Sequence, residues 1–369
     1  MSETYINDAT AHLVNEIAVL VSSRDELSSS SAVQESLSRF RHTCSVTPSI
    51  IGYISTAIDA AGNRGEAFTS EQLELLMFAM IARSSSTYGT IPGVVAHLAL
   101  IGEHSDAAIL NENAKNETGD RRYKSHPTLL YECFAAIGEA LSIPTLTPAR
   151  YHILRYILLQ KERQESTWTD AESVRAHLEA SGLHFPKYAD EDIAIALYYA
   201  DRYDPALTHL HSEVIEAESR LNERADATPS RNPYDEIWLA VRCLELAMRE
   251  ASSVDDYTAN RLSYIGAWGQ VVEHLAPKLS PGSRKRATAW SEAHNDEAAG
   301  QAVGWEGAAE EGHAEDARLQ AVKMIAALKP EAFSNVLNEV TRLNSLRLAF
   351  WDRVVDGLKQ RETVVAAAA

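Results

Sequence analysis

The sequence predicts an all-α protein. Apolar residues recur every three or four positions along nearly every segment, which is the period of a helix. Alternating apolar and polar residues bounded by turn signals, the pattern typical of strands, do not occur. No repeat of fixed period is present either, so a helical solenoid is disfavoured. The chain of 369 residues is long enough to bury one large core or two ordinary ones.

The first part of the chain predicts core-facing helices separated by polar breaks. Ser70 is a suitable cap for a helix that begins at this residue. A break is expected at residues 84–93, which contain three consecutive serines, two glycines and Pro92. Helices are predicted over residues 8–22, 70–83, 93–102, 105–117 and 126–141.

The remaining segments differ from the first part of the chain in amino-acid composition. Residues 145–235 are charged and rich in His and Tyr, and they end in a polar, Pro-containing run that indicates a loop or hinge. Helical patterns resume over residues 234–251, 256–277, 284–328 and 330–361.

Composition restricts the class of partner. The formal net charge of -18 and the pI near 5.2 argue against nucleic acid and against an anionic membrane surface, because both need a clustered positive field. No apolar run approaches the ~20 residues of a membrane helix, and the N-terminus shows no secretory signal. Three widely spaced cysteines do not form a disulfide framework, so a cytoplasmic protein is expected. Neither a phosphate-binding glycine loop nor a Gly-x-Ser-x-Gly elbow occurs.

The segment around residues 305–317 contains the most informative pattern. In a regular helix Glu306, Glu310 and His313 recur at i, i+4 and i+7, so three metal-capable side chains share one face. Small residues between them allow a close approach of the backbone. A solvated acidic face on an Ala-rich helix is the competing interpretation.

Two other segments offer ligands for the same site. Glu117 ends one predicted helix and His126 begins the next across a glycine turn, and Glu273 lies among small residues on a helix that begins near Gly266. Sites rich in carboxylate with few histidines suit iron or manganese, and in all-α proteins such ligands project inward from facing helices.

Taken together, these segments resemble the haem-oxygenase-like diiron oxidase and oxygenase family, haem-free relatives of the haem oxygenase and TenA-like helical folds. The similarity lies in an Asn-x(n)-Glu-x-Gly-x(n)-Ser-His hairpin, a Gly-Ala-x(n)-Glu helix and a final helix of the form His-xxx-Asp-xx-His. It covers residues 75–142 and 256–328. The implied metal ligands are, in chain order, Glu117, His126, Glu273, Glu310 and His313, with Glu306 standing where the family pattern has a histidine.

The resemblance implies a haem-oxygenase-like helical bundle that binds two non-haem irons. It also implies O2 as cosubstrate, an external electron donor and a small organic substrate, with N-oxygenation or oxidative C–C cleavage in specialised metabolism; a homodimer is compatible with it. The long separation of His126 from Glu273 implies that the bundle halves, residues 1–144 and 236–369, flank an inserted lobe at 145–235.

Basic residues beside Glu117 favour an amine-like or amino-acid-like substrate, because Arg121, Arg122 and Lys124 are suited to pairing with a carboxylate. Surface charges on a loop are the competing interpretation for these three residues.

Other histidines are weaker ligand candidates. His209 and His211 point to different faces and are expected on a solvated helix, and His294 is an alternative sixth ligand. The alternatives for function are a non-catalytic helical interaction protein and a TenA-like hydrolase on the same fold.

Overall fold

The computed structural model confirms the all-α class. It describes residues 8–62, 67–118, 124–162, 168, 170–180, 188–202, 205–223, 233–255, 262–294 and 309–368. Most of the described residues are helical, and the described ranges contain no strand.

The first helices are α1 (Asp8–Ser23), α2 (Asp25–Ser28), α3 (Ser31–Cys44), α4 (Ser49–Ala61), α5 (Ser70–Ile101), α6 (His104–Thr118), α7 (His126–Leu141) and α8 (Pro148–Glu162). The later ones are α9 (Ala171–Ala180), α10 (Asp190–Ala200), α11 (Pro205–Glu223), α12 (Pro233–Ala251), α13 (Tyr264–Leu275), α14 (Pro281–His294), α15 (Ala309–Ala326) and α16 (Pro330–Ala368). A short 3₁₀ turn, Ala276–Lys278, follows α13.

Two apolar clusters form the interior. The first core contains buried residues of α7, α8, α10, α13 and α14, among them Phe134 and Trp268. The second core contains buried residues of α1, α3, α6, α12 and α15, among them Ile17 and Leu244. Each of the long helices α5 and α16 buries residues of one end in the first core and residues of the other end in the second core. These two helices therefore connect the cores.

Helix α5 is longer than the sequence predicts. It runs without a break through residues 84–93 and includes Pro92, where we expected an interruption. The N-cap is Thr69 and not Ser70 as predicted: a capping box between Thr69 and Gln72 begins the helix, and Gly102 ends it with a left-handed φ of 93°. The local helix-breaking signals are overridden because the helix buries Met77 in the first core and Val94 in the second.

The 145–235 segment contains helices α8 to α11 and the first residues of α12. Its buried residues, including Leu154 and Leu197, belong to the same first core as Leu75 of α5 and Val271 of α13. The segment therefore shares a core with the flanking halves of the chain.

None of the described helices combines the length and the apolar composition that a membrane crossing needs.

Candidate functional site

Helices α6 and α15 lie antiparallel in the second core. Lys323 of α15 pairs with Asp106 of α6, and the Asn113 amide of α6 hydrogen-bonds the Asp316 carboxyl group of α15. Asp106 and Asn113 are seven residues apart on α6, and Asp316 and Lys323 are seven residues apart on α15. The register between the two helices is therefore constant over this length. The backbone of Glu117, four residues beyond Asn113, therefore lies at the level of Gly312, one residue from the level of His313.

His313 is the most deeply buried histidine of this region, with 0% of its surface exposed. It lies in the first half of α15, which packs against α12 and also against α1 and α6. His126, at the start of α7, is 6% exposed. The Ser125 hydroxyl oxygen accepts a hydrogen bond from the Thr128 N–H at 3.3 Å, which caps α7 and fixes the backbone beside His126. Both imidazoles therefore point into protein rather than into solvent.

Asp316 has a perturbed carboxyl group. Burial raises its pKa, the hydrogen bond from Asn113 lowers it, and the nearby charge of Glu315 raises it again. The net effect is a raised pKa, so this carboxyl group holds a proton more readily than an exposed aspartate.

The orientation of α12 follows from its contacts with α5. The Arg242 guanidinium covers Gly93, where an added Cβ would lie 2.0 Å from Nη2, and Arg249 lines the same pocket as Arg83. Residue numbers rise along α12 as they fall along α5, so these helices are antiparallel. The α5–α6 hairpin turns at Gly102, so α6 is parallel to α12 and α15 is antiparallel to both.

This arrangement brings Glu250 to within about two residues of the level of Glu310, one of the candidate ligands predicted from the sequence. Gly93 lies about two turns before the end of α5. Because α5 and α6 form an antiparallel hairpin, Gly93 is level with residues about two turns into α6, close to Asn113 and its partner Asp316. Glu250 lies about two turns beyond Arg242 on α12, which places it level with the first turn of α15, where Glu310 is located.

Glu250 was missed by the sequence reasoning. It is only 4% exposed. Residues 237–248 of its helix are apolar apart from Arg242 and Glu245, which indicates that the charges of α12 are buried with partners but does not single out Glu250.

Glu273 lies elsewhere. Its side chain is 63% exposed and its carboxylate pairs with Arg284 at 3.3 Å. The buried face of α13 carries Trp268, Val271 and Val272 into the first core, and Glu273 lies on the opposite face. The structure thus places this carboxylate on the surface and not in the interior that we expected.

Other predicted site residues fall at the edge of the described part. Lys124 is exposed and its Nζ donates to Glu132 at 2.6 Å, in agreement with the surface-charge interpretation. Glu117 in α6, Glu310 in α15 and His294 at the end of α14 have described helical positions, but their side chains lie outside the described part. Arg121, Arg122 and Glu306 lie wholly outside the described residues. Among the side chains that are described, no three metal-capable groups come together.

The two histidines of α11 differ from the expectation of a solvated pair. His209 is exposed, and its Nε2 lies 3.6 Å from Glu213. His211 is buried, however, and its Nε2 is hydrogen-bonded to the Tyr151 hydroxyl at 3.0 Å, with Phe78 packed against the ring. The two side chains do point to different faces, and one of these faces is the first core.

A polar pocket lies at the junction of α3, α5, α12 and α16. Its cavity volume is about 70 Å³. The lining residues are Thr10, Thr43, Cys44, Val46, Pro48, Ile51, Arg83, Met248, Arg249, Ser252, Tyr264, Asn344, Arg347, Leu348 and Trp351.

A buried ion-pair network forms the floor of this pocket. Glu245, 1% exposed, accepts hydrogen bonds through one carboxylate oxygen from Arg249 Nε at 3.0 Å and from Arg249 Nη2 at 2.9 Å. The same oxygen accepts from Arg347 Nη2 at 2.5 Å. Burial by itself would raise the pKa of Glu245, but the charges and hydrogen bonds of the two arginines lower it to about 2.

Comparisons of the chain with protein-family models, with curated proteins and with solved structures find no match.

Proposed function

We propose that α6, α12 and α15 of the second core, together with the start of α7, hold a non-haem iron site, and that the protein uses it to oxidise a small organic substrate with O2. The observation that carries the proposal is the burial of Glu250 and His313 on neighbouring helices, within about a turn and a half of each other and of the helical positions of Glu117 and Glu310. Such a layer of inward carboxylates and imidazoles on facing helices is typical of iron sites in helical bundles.

The proposed ligands differ from those expected from sequence in one position. Glu250 of α12 replaces Glu273, because an exposed carboxylate in an ion pair is poorly placed to hold a buried metal. The remaining proposed ligands are Glu117, His126, Glu310 and His313, with Glu306 as the sixth if α15 continues one turn towards the N-terminus.

The donor set fits iron better than a thiolate-selected metal, since it consists of carboxylate oxygens and imidazole nitrogens. When bound, iron supplies the electrons that activate O2, and an external donor restores them. The protein residues would hold the site and exclude water from it: Leu110, Leu244 and Ala317 lie on the same three helices, belong to the second core and are at most 1% exposed. We propose a haem-oxygenase-like arrangement for the bundle and an amine-like or amino-acid-like substrate.

Iron content tests the site directly. Protein loaded with ferrous iron under anaerobic conditions, desalted and measured for bound metal is expected to hold close to two irons per chain. His313→Ala and Glu250→Gln are each expected to lose at least one equivalent and to slow O2 consumption, whereas the matched surface variant Glu273→Gln retains both.

Circular dichroism of each variant shows whether the helices are intact. The proposal fails if folded Glu250→Gln and His313→Ala bind as much iron as the parent. A non-catalytic helical interaction protein then becomes the better description.

The sixth ligand is tested separately. Glu306→His is expected to keep two irons, and Glu306→Ala to lose the weaker one together with most O2 consumption. A Glu306→Ala variant that behaves like the parent would assign this position to the surface and favour His294.

A further inference from the structure

We infer that the outer face of helices α1, α6 and α15 is a docking surface for a positively charged amphipathic helix of another protein. This surface, called here the α15 face, combines a row of exposed apolar side chains with carboxylates on both sides of the row. None of its apolar residues is a proposed iron ligand, so the inference does not depend on the iron site.

Three exposed apolar residues define the row, one on each helix. Val19 of α1 is 67% exposed, Leu319 of α15 is 49% exposed and Ile109 of α6 is 43% exposed. Other residues of the same three helices are buried in the second core. The three exposed side chains therefore lie on the outer sides of helices whose inner sides are packed.

The register between α1 and α15 follows from two contacts. The Glu16 carboxylate pairs with Arg318, and the Arg24 guanidinium donates to the Ala326 carbonyl oxygen. Glu16 and Arg24 are eight residues apart, as are Arg318 and Ala326, so the two helices are parallel. Val19, three residues after Glu16, is therefore level with the position three residues after Arg318.

The register between α6 and α15 places Ile109 in the same row. Asp106 pairs with Lys323, and the two helices are antiparallel. Ile109, three residues after Asp106, is therefore level with the position three residues before Lys323, which is the neighbour of Leu319. The apolar side chains of the three helices thus lie within about two residues, or about 3 Å, of one level along α15.

Such a row is suited to a helix that lies across α1, α15 and α6. Single exposed apolar residues are common, but adjacent ones on neighbouring helices form a patch of the kind that marks an interaction site. Packed helices lie about 8–10 Å apart, and residues two turns apart on a helix are separated by about 11 Å. A partner helix can therefore place successive apolar residues over successive members of the row.

Acidic residues are concentrated on the same three helices. Together α1, α6 and α15 carry nine Asp or Glu and three Lys or Arg, a net charge of -6. Their 49 residues are about one eighth of the chain but hold one third of its net charge of -18. Glu117 and Glu310 are proposed iron ligands, and without them the net charge of these helices is still negative.

The carboxylates lie on both sides of the apolar row. Glu315 is four residues before Leu319 on α15, and Lys323 is four residues after it. Two ion-pair groups contain these residues: Lys323 with Glu103 and Asp106, and Arg318 with Glu16 and Glu315. Each group has one basic residue and two carboxylates and therefore a net charge of -1. Lysine or arginine side chains on both edges of the apolar face of a partner helix would meet opposite charge here.

The same charges argue against a second copy of this chain as the partner. Two copies joined through the α15 face would bring two acidic surfaces together, and opposed like charges weaken association. An apolar helix with basic edges complements both the row and the carboxylates beside it.

Designed peptides test the inference on the full-length, metal-free protein. The probe is an amphipathic helix of about 18 residues made of leucine and lysine. One control peptide has glutamate in place of every lysine, and a second has the composition of the probe without an apolar face. Fluorescence anisotropy of labelled peptides is expected to show saturable binding of the probe, no binding of the glutamate peptide, and binding of the second control at least about tenfold weaker. The affinity of the probe is expected to fall as salt is added.

Variants of exposed residues identify the surface. Leu319→Ser and Val19→Ser are each expected to weaken probe binding about tenfold, because apolar contact area is lost. Val46→Ser is the matched control, because Val46 is also exposed, at 39%, but lies between α3 and α4. Glu103→Gln is expected to weaken binding about threefold, whereas Glu139→Gln, which changes an exposed carboxylate of α7, is expected to bind like the parent. Circular dichroism shows whether each variant is folded.

Three results would overturn the inference: equal affinity for the lysine and glutamate peptides, equal affinity for the two lysine peptides, or unchanged probe affinity in a folded Leu319→Ser variant. Sedimentation velocity of the protein alone tests for a second copy, and the parent and Leu319→Ser are expected to sediment alike. A parent that dimerises when Leu319→Ser does not would assign the α15 face to self-association instead. Glu250→Gln, which tests the iron site, is expected to leave probe affinity unchanged.

Discussion

Replacement of Glu245 by Gln should remove a pH-dependent part of the stability of the second core. The carboxylate is buried, and Arg249 and Arg347 lower its pKa from 4.5 to about 2. At about 1.4 kcal/mol for each pH unit of difference, the charged form contributes about 3 kcal/mol to the free energy of unfolding at pH 7. This figure agrees with the 3–5 kcal/mol that is typical when one partner of a buried pair is removed.

The sign follows from proton binding. Between pH 4.5 and pH 2 the unfolded chain binds a proton at Glu245 and the folded chain does not, so the contribution is complete above pH 4.5 and is lost as the pH falls towards 2. At pH 3, about 2 kcal/mol of this contribution of about 3 kcal/mol to the free energy of unfolding should be lost. The parent and Glu245→Gln should therefore differ most at neutral pH and converge in acid.

Urea unfolding of both proteins at pH 7 and at pH 3 measures this difference. Glu139→Gln is the control, because Glu139 pairs with Arg286 at 2.5 Å but is 60% exposed, and it should show no comparable change. A difference between parent and Glu245→Gln that is equal at the two pH values would refute the assignment of a charged, arginine-bound Glu245.

Two further predictions concern packing. Gly93→Ala should destabilise the protein by about 1–3 kcal/mol in urea unfolding, because the new methyl group would displace the fully buried guanidinium of Arg242. Gly52→Ala, in a helix where nothing lies within 4 Å of the added Cβ, should instead stabilise it by about 0.5–1 kcal/mol; the opposite order would contradict this packing. Burial lowers the pKa of His211 to about 3, so its NMR resonances should not titrate between pH 5 and pH 8, and a transition near pH 6.5 would show that the ring is solvated. Tyr151→Phe, which removes the hydrogen bond to His211, should cost about 1 kcal/mol.

The residues of the proposed iron site were only partly predictable from the sequence. The burial of His126 and His313 follows the expectation that imidazoles at these positions face inward. The register that places Glu117 at the level of His313 depends on contacts between α6 and α15, such as that of Lys323 with Asp106, 217 positions apart in the chain. A motif search cannot supply such a register, because it reads each helix separately.

The choice between Glu273 and Glu250 shows the same limit. Glu273 was selected because small residues surround it in the sequence, but those residues allow α13 to pack its other face into the first core. Glu250 carries no comparable local mark, and its burial follows from the helices that surround α12.

By itself, the sequence determined the helical class and many helix ends, because these depend on local interactions. The Thr69 capping box, the Ser125 cap and the left-handed Gly102 each act within a few residues. Only the tertiary structure decided that α5 continues through Pro92 and which charged residues of α12 lie inside. Hydrophobic periodicity identifies one apolar face of a helix, but α12 is enclosed on nearly every side. The positions of its charged side chains are therefore set by partners such as Arg347, which is 102 residues from Glu245 in the chain.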